Sequence, residues 1–221
     1  MSDREIFATV RNRLFTAVIG DVMDNVGLSH QFFPADVRAI EPGPILVGRA
    51  MPVQVADVGE DSPADAQAYG LLFRALDSLQ PGEVYVAAGG SPDYALWGGL
   101  MSIRAMRLEA VGAVLDGYHR DSNEIRRLGF PVFSRGSYAQ DQRDRGSVID
   151  FRCDVTLSNG TRIAPGDLIV GDIDGVVVVP KNSVEAIIRE ALGKVDSESN
   201  VRDMIEAGET TESIFARTGI M

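Results

Sequence analysis

Apolar residues recur along the chain with two different periods, and the switches between them outline the elements. Over residues 6–18, Ile6, Val10 and Leu14 stand four apart, which predicts a first helix. A second, short helix is expected to open with Thr16 as its N-cap, to carry Val18, Ile19, Val22 and Met23, and to end at Gly27. Residues 45–55 alternate and contain β-branched side chains, as a strand does. Residues 64–78 read as a helix stopped by Gln80-Pro81-Gly82, and residues 83–90 as a strand running into Gly89 and Gly90. A helix over 98–110 opens with two glycines. Residues 112–115 form a short buried strand, 116–121 the loop after it, and 131–133 another short strand.

From residue 148 to 179 the pattern turns to β. Strands are expected over 148–157, 167–170 and 176–179, with a hairpin signal at Asn159-Gly160. Residues 184–195 read as a helix that continues, with or without a break, through Ile205 to Gly208. Helices alternate with strands early and strands cluster late, so the fold class is α/β, layered around a mixed central sheet, with helical N- and C-terminal segments. Pro81-Gly82 and Pro165-Gly166 each precede a strand and read as turns rather than as marks of duplication.

The 221 residues fit one domain with a sizeable core. Hydrophobic residues at 45% and charged residues at 24% are ordinary for a globular protein. The net charge of −11 argues against nucleic acid as a partner, because phosphate contacts need surplus Lys and Arg. It permits a basic protein partner. The lone Cys153 excludes an internal disulfide and reads as a small core residue rather than a nucleophile. The first ten residues lack an apolar signal core, and no apolar run approaches the ~20 residues of a membrane span. The expected location is the cytoplasm, with no membrane partner.

Two stretches carry chemistry. The first is Trp97-Gly98-Gly99-Leu100-Met101, where two glycines open a helix without an acidic residue in the first turn. The free N–H groups of a helix start can hold an anion such as a carboxylate. The alternative is a tight turn serving packing alone. The second is Asp116-Gly117-Tyr118-His119-Arg120-Asp121, just past the strand over 112–115. If that strand lies beside the one over 83–90, the connection is a βαβ unit, whose ligands bind beyond the carboxyl ends of the strands. Both stretches then reach the same edge. There the Arg120 guanidinium suits a carboxylate through two parallel bonds, and Asp121 offers hard oxygen for a cation. The alternative is a surface ion pair. Asp116 also reads as a turn residue, His119 as a solvent or packing residue, and His30 as a loop residue. Asp172 and Asp174, before four valines, lack the rest of a calcium loop and read as a turn.

These stretches, together with the runs over 16–27, 130–136 and 165–180 and with Glu198, resemble the RraA-like family. That family includes class II pyruvate aldolases acting on 4-hydroxy-4-methyl-2-oxoglutarate and 4-carboxy-4-hydroxy-2-oxoadipate. The likeness covers roughly residues 14–208 of a single domain, with a C-terminal helical arm over 184–221. It implies a swivelling α/β domain assembled as a homotrimer or hexamer with sites between subunits. Asp121 would hold Mg²⁺ or Mn²⁺ largely through waters. Arg120 and the backbone N–H groups of Gly98, Gly99, Leu100 and Met101 would hold the pyruvoyl part of a 2-oxo acid substrate. Glu198 would approach from a neighbouring subunit. One departure is Gly99, where family aldolases often carry an acidic residue; His119 is another.

The activity so implied is cleavage of a 4-hydroxy-2-oxo dicarboxylic or tricarboxylic acid to pyruvate and a second 2-oxo acid, with oxaloacetate decarboxylation as a side activity. No lysine Schiff base is required, since Lys181 and Lys194 are the only lysines and neither is near the glycines in sequence. The other reading the resemblance allows is a non-catalytic, protein-binding regulator like the family's inhibitor of an endoribonuclease.

Overall fold

Ser2 starts the first helix earlier than apolar spacing alone indicates. Its hydroxyl accepts from the Glu5 N–H while the Glu5 carboxylate reaches back to the Ser2 N–H, a reciprocal cap. In the computed structural model, which describes residues 1–43, 45–59 and 69–220, α1 spans Asp3–Arg13 and α2 spans Thr16–Asn25. The expected N-cap of α2 is corrected. Phe15 holds that position, and Thr16 is the first helical residue. The Thr16 N–H and hydroxyl both donate to the Asp172 carboxylate, each at 2.7 Å, so the cap comes from a strand far along the chain.

The chain continues through β1 (Arg38–Ala39), β2 (Leu46–Asp57), α3 (Leu72–Asp77), β3 (Glu83–Ala88), β4 (Ala95–Trp97), α4 (Gly99–Arg107), β5 (Gly112–Leu115) and β6 (Tyr118–His119). It then forms α5 (Ser122–Leu128), β7 (Val132–Ser134), β8 (Gly146–Phe151), β9 (Val155–Thr156) and β10 (Arg162–Ile163). Last come β11 (Leu168–Asp172), β12 (Gly175–Val179), α6 (Val184–Glu206) and α7 (Thr211–Thr218). Of the helix expected over 64–78, residues 64–68 lie outside the described residues. The expected strand over 148–157 is two strands, because Arg152 adopts φ +56° and turns the chain while its guanidinium pairs with Glu83. Residues 116–121 are not all loop: Tyr118 and His119 form β6. The helix over 184–205 is unbroken. Asp172 ends β11 and Asp174 lies in the tight turn to β12, as expected.

The main sheet runs β1-β7-β5-β3-β2-β11-β12, with β8 also on β2. β2, β3, β5 and β7 are parallel neighbours, and the other pairings are antiparallel, so the sheet is mixed. It nearly closes. The Phe33 N–H donates to the Val176 carbonyl on β12 at 2.9 Å, and β1 follows a few residues later at the opposite edge. Alternation divides the core cleanly. Val84, Val86 and Ala88 of β3 point into the sheet's interior with Val176 and Val178. Tyr85 and Ala87 point outward to the layer containing Leu76 of α3 and Ala105 of α4. On the other flank, Val177 and Val179 meet Val10 of α1, Val22 of α2, and Ile187 and Ile188 of α6.

Candidate functional site

The expected βαβ unit is present: β3 and β5 are parallel neighbours with α4 between them. Beyond their carboxyl ends the chain inserts a second, two-stranded parallel sheet. β4 pairs with β6 so that Ala95 faces Tyr118 and Trp97 faces His119, and the Arg120 N–H donates to the Trp97 carbonyl at 2.9 Å. Trp97 anchors this small sheet. It is 1% exposed, with Tyr85 at 4.9 Å and Phe130 at 6.0 Å between ring centroids. Its Nε1 donates to Ser102 Oγ at 2.7 Å, and that hydroxyl donates to the Gly98 carbonyl at 3.1 Å. The opening of α4 is thereby locked to β4.

Arg120 and Asp121 leave β6 directly above that opening. Asp121 sits at φ +60°, ψ +36°, a left-handed conformation that aspartate tolerates better than most residues. This conformation turns its side chain away from its own helix α5 and across to α4, where the Gly99 N–H donates to Asp121 Oδ2 at 3.0 Å. The approach explains Gly98. Its φ of −156° is open to any residue, but a Cβ there would stand 2.7 Å from Asp121 Oδ2. It also narrows the expected anion site. Of the four N–H groups expected to hold a ligand, that of Gly99 is already taken by Asp121, which leaves those of Gly98, Leu100 and Met101.

Arg120 has a partner the sequence did not suggest. Its Nη1 lies 3.3 Å from Asp141 Oδ1, closer than the 3.9 Å between its Nε and Asp121 Oδ2. Asp141 Oδ2 accepts from the Tyr69 hydroxyl at 2.8 Å, and burial followed by this bond raises the Tyr69 pKa. Arg120, Asp121 and Asp141 line one cavity of about 290 Å³ together with Tyr69, Gln142 and the opening of α4. Its apolar lining includes Leu72 and Phe73 of α3, with Leu96 and Met101.

Other expected residues fall elsewhere. His119 is interior at 4% exposure, with Nδ1 2.7 Å from Ser134 Oγ and Nε2 2.8 Å from Ser122 Oγ. Burial lowers its pKa below the ordinary 6.5, so it braces the Arg120–Asp121 segment as a neutral ring. Asp116 is more than a turn residue, because its carboxylate is nearly fully buried against Arg135 at 2.7 Å. Cys153 is half-buried against the sheet interior, and burial raises its pKa, which suits a packing role. The place of a side chain at position 99 is filled by Glu124 of α5, whose carboxylate occupies the space a Cβ on Gly99 would need. A carboxylate thus stands over the position where the family resemblance expects one, carried by a different element. Glu198 does not join Arg120 and Asp121 within one chain. It lies on α6, 3.8 Å from Lys194 Nζ, in a separate cavity with Asn25 and Ile220.

Among the described residues, no three His, Cys, Asp or Glu side chains cluster in a metal-holding arrangement. Asp121, with its side chain 43% exposed, fits a hard cation that keeps most of its waters and takes one protein carboxylate, as Mg²⁺ does. It does not fit a dehydrated all-protein cage.

A family model described as RraA-like, Aldolase/RraA, matches residues 16–178. A protein from Halalkalibacterium halodurans, provisionally named a 4-hydroxy-4-methyl-2-oxoglutarate aldolase, is 34% identical over 206 residues, covering 91% of this chain and 90% of that one. Protein DlpA of Legionella pneumophila is 26% identical over 89% of this chain, which spans only 31% of DlpA's length. Among solved structures, Streptomyces coelicolor RraAS2, titled an unusual member of the RNase ES inhibitor RraA protein family, superposes with a TM-score of 0.79. It is 26% identical, over 91% of this chain and 97% of that one. No helix among the described residues is long and apolar enough to cross a membrane.

Proposed function

Because the chain belongs to the RraA-like family, we propose that it is a lyase of the aldolase type that releases pyruvate from 4-hydroxy-2-oxo acids carrying further carboxylates. The observation that carries this reading is the meeting of Arg120, Asp121 and the α4 opening in one cavity. A 2-oxo acid needs donors for its carboxylate and positive charge beside its 2-oxo oxygen, and the cavity offers both. The N–H groups at the start of α4 not taken by Asp121 would hold the carboxylate. The Arg120 guanidinium, steadied by Asp141, is positioned for the carboxylate and the 2-oxo oxygen.

Breaking the C3–C4 bond sends its electron pair toward C2, and the 2-oxo oxygen takes up negative charge. Arg120 favours that charge more in the transition state than in the bound acid, which is the condition for catalysis. The C4 hydroxyl loses its proton as C4 becomes a carbonyl. If Asp121 holds the metal, Asp141 is the remaining carboxylate of the cavity that could accept that proton, although it is already bonded to Arg120 and Tyr69. Mg²⁺ or Mn²⁺ held by Asp121 would supply Lewis-acid polarisation of the 2-oxo acid. Protonation at C3 then gives pyruvate. With 4-hydroxy-4-methyl-2-oxoglutarate, carbon balance requires two pyruvates per substrate, so stoichiometric release measured by NMR tests the reading. A yield of one pyruvate with a different co-product points to another bond.

The likeness to RraAS2 favours a second reading, a protein-binding regulator of an endoribonuclease. That role gives no account of why Arg120, Asp121 and Asp141 meet in one cavity. Absence of pyruvate release, together with inhibition of an RNase E-type enzyme, would decide for it.

A further inference from the structure

One polar group in the cavity wall has nothing to bond to. Gln142 is 3% exposed, and among the described residues its Nε2 is the one buried side-chain nitrogen or oxygen without a hydrogen-bond partner. Buried unpaired amides are costly and therefore rare in native proteins, so each one asks for a reason. The residue is firmly placed. Its carbonyl accepts from the N–H groups of Arg145 and Gly146, both at 2.9 Å, and the preceding Asp141 is held by Tyr69 and Arg120. The cavity it lines is the one that contains Arg120, Asp121 and the α4 opening.

We propose that Gln142 is the specificity-determining donor of this cavity, its side-chain nitrogen hydrogen-bonding the carboxylate at the far end of a 2-oxo diacid. The proposal rests on reading the cavity as a 2-oxo acid site and adds what recognises the other end of the molecule. With the near carboxylate and 2-oxo group at Arg120 and the start of α4, a second carboxylate has to be met by other groups of the wall. Arg120 is the only cation among the described lining residues, and it is already shared between Asp121 and Asp141. A neutral donor without a partner is therefore the group that can accept a second negative charge without competing for Arg120. The last torsion of a glutamine is broad, so the amide can present its nitrogen to the cavity without strain.

The test uses two unreactive probes of equal chain length, 2-oxoglutarate and 2-oxopentanoate, which differ in the far carboxylate. Binding is measured by calorimetry with Mg²⁺ added, for the wild type, Gln142→Met and Gln142→Glu. Methionine keeps the volume and removes the donor. Glutamate keeps the shape and places like charge against the ligand. The wild type is expected to prefer 2-oxoglutarate. Gln142→Met should bind it about ten- to hundredfold more weakly while 2-oxopentanoate changes by less than about threefold. Gln142→Glu should lose at least as much. The ligand-free melting temperature of Gln142→Met should not fall, because no protein hydrogen bond is lost. Four outcomes overturn the proposal: no wild-type preference, equal losses for both probes, no loss for either, or a lowered melting temperature showing a structural role. If discrimination holds but no pyruvate is released from any 4-hydroxy-2-oxo acid, the lyase reading fails and the subsite stands. If pyruvate is released but discrimination is unchanged in the variants, the subsite fails and the lyase reading stands.

Discussion

Asp121 carries two roles that a single substitution can separate. It offers oxygen to a cation, and its Oδ2 also accepts the Gly99 N–H from a left-handed backbone position. Asp121→Ala therefore costs activity and also about 1 kcal/mol of stability, in the range of a lost helix cap. Asp121→Asn keeps a side-chain oxygen and tolerates the backbone, so it should keep its melting temperature within about 2 °C of wild type while losing at least ~100-fold in kcat. Thermal melts beside steady-state rates check the pair; retained kcat in Asp121→Asn would remove the carboxylate from the chemistry. His119 gives a second prediction. Its pKa is depressed in the folded state, so between that value and 6.5 only the unfolded chain holds the proton. Its contribution to stability is thus full above about pH 6.5 and is lost as the pH falls. Melting temperatures from pH 8 to pH 5 should fall more steeply for wild type than for His119→Gln, and parallel slopes would contradict this. Arg120 and Asp121 stood out in the sequence because they lie in the segment beyond the buried strand over 112–115, paired in type as cation and carboxylate. Tyr69, Asp141 and Gln142 were not, because they come from segments whose approach to the cavity is set by packing and leaves no local pattern.

At the scale of elements, the opening of α4 is the most constrained contact. A Cβ on Gly98 would stand 2.7 Å from Asp121 Oδ2 and push it off the Gly99 N–H. Gly98→Ala should lower kcat/KM at least tenfold with a stability loss near 1 kcal/mol, read by kinetics and denaturant titration. An unaffected kcat/KM would mean that the bond between α4 and Asp121 is not needed for catalysis. Periodicity located the strands β2, β3, β5, β11 and β12 and the helices α4 and α6, because each buries a face long enough to repeat. It missed β4, β6 and α5. β4 and β6 hold three and two residues, too few to show a period, and they pair with each other across the α4 crossover. α5 buries only Ile125, so no apolar stripe announces it, although Asp121 and Glu124 have the spacing of a helix-start signal and Gly129 ends the helix in the left-handed region.

The whole molecule has a sheet that nearly closes, with α3, α4 and α5 on one flank and α1, α2 and α6 on the other. The layered α/β class was legible because helix and strand periods alternate along the chain. Near-closure was not, because it depends on the bonding of Phe33 to β12. The mouth of the cavity exposes Leu100 at 80% and Phe73 at 55%, and Glu198 lies away from the cavity within its own chain. If copies assemble so that Glu198 of one completes the site of another, mixing Glu198→Ala with Asp121→Asn chains should restore activity that neither has alone. No recovery in verified mixed oligomers would leave Glu198 out of the site. The central claim, a metal-dependent pyruvate lyase, is tested most directly by pyruvate release from oxaloacetate, whose loss of CO₂ passes through the same enolate. The account predicts release by the purified protein with Mg²⁺ well above that of Mg²⁺ alone, loss of at least ~95% of the excess on adding EDTA, and recovery when Mg²⁺ is restored in excess. An excess that persists undiminished in EDTA, or no release beyond that of Mg²⁺ alone, would contradict it.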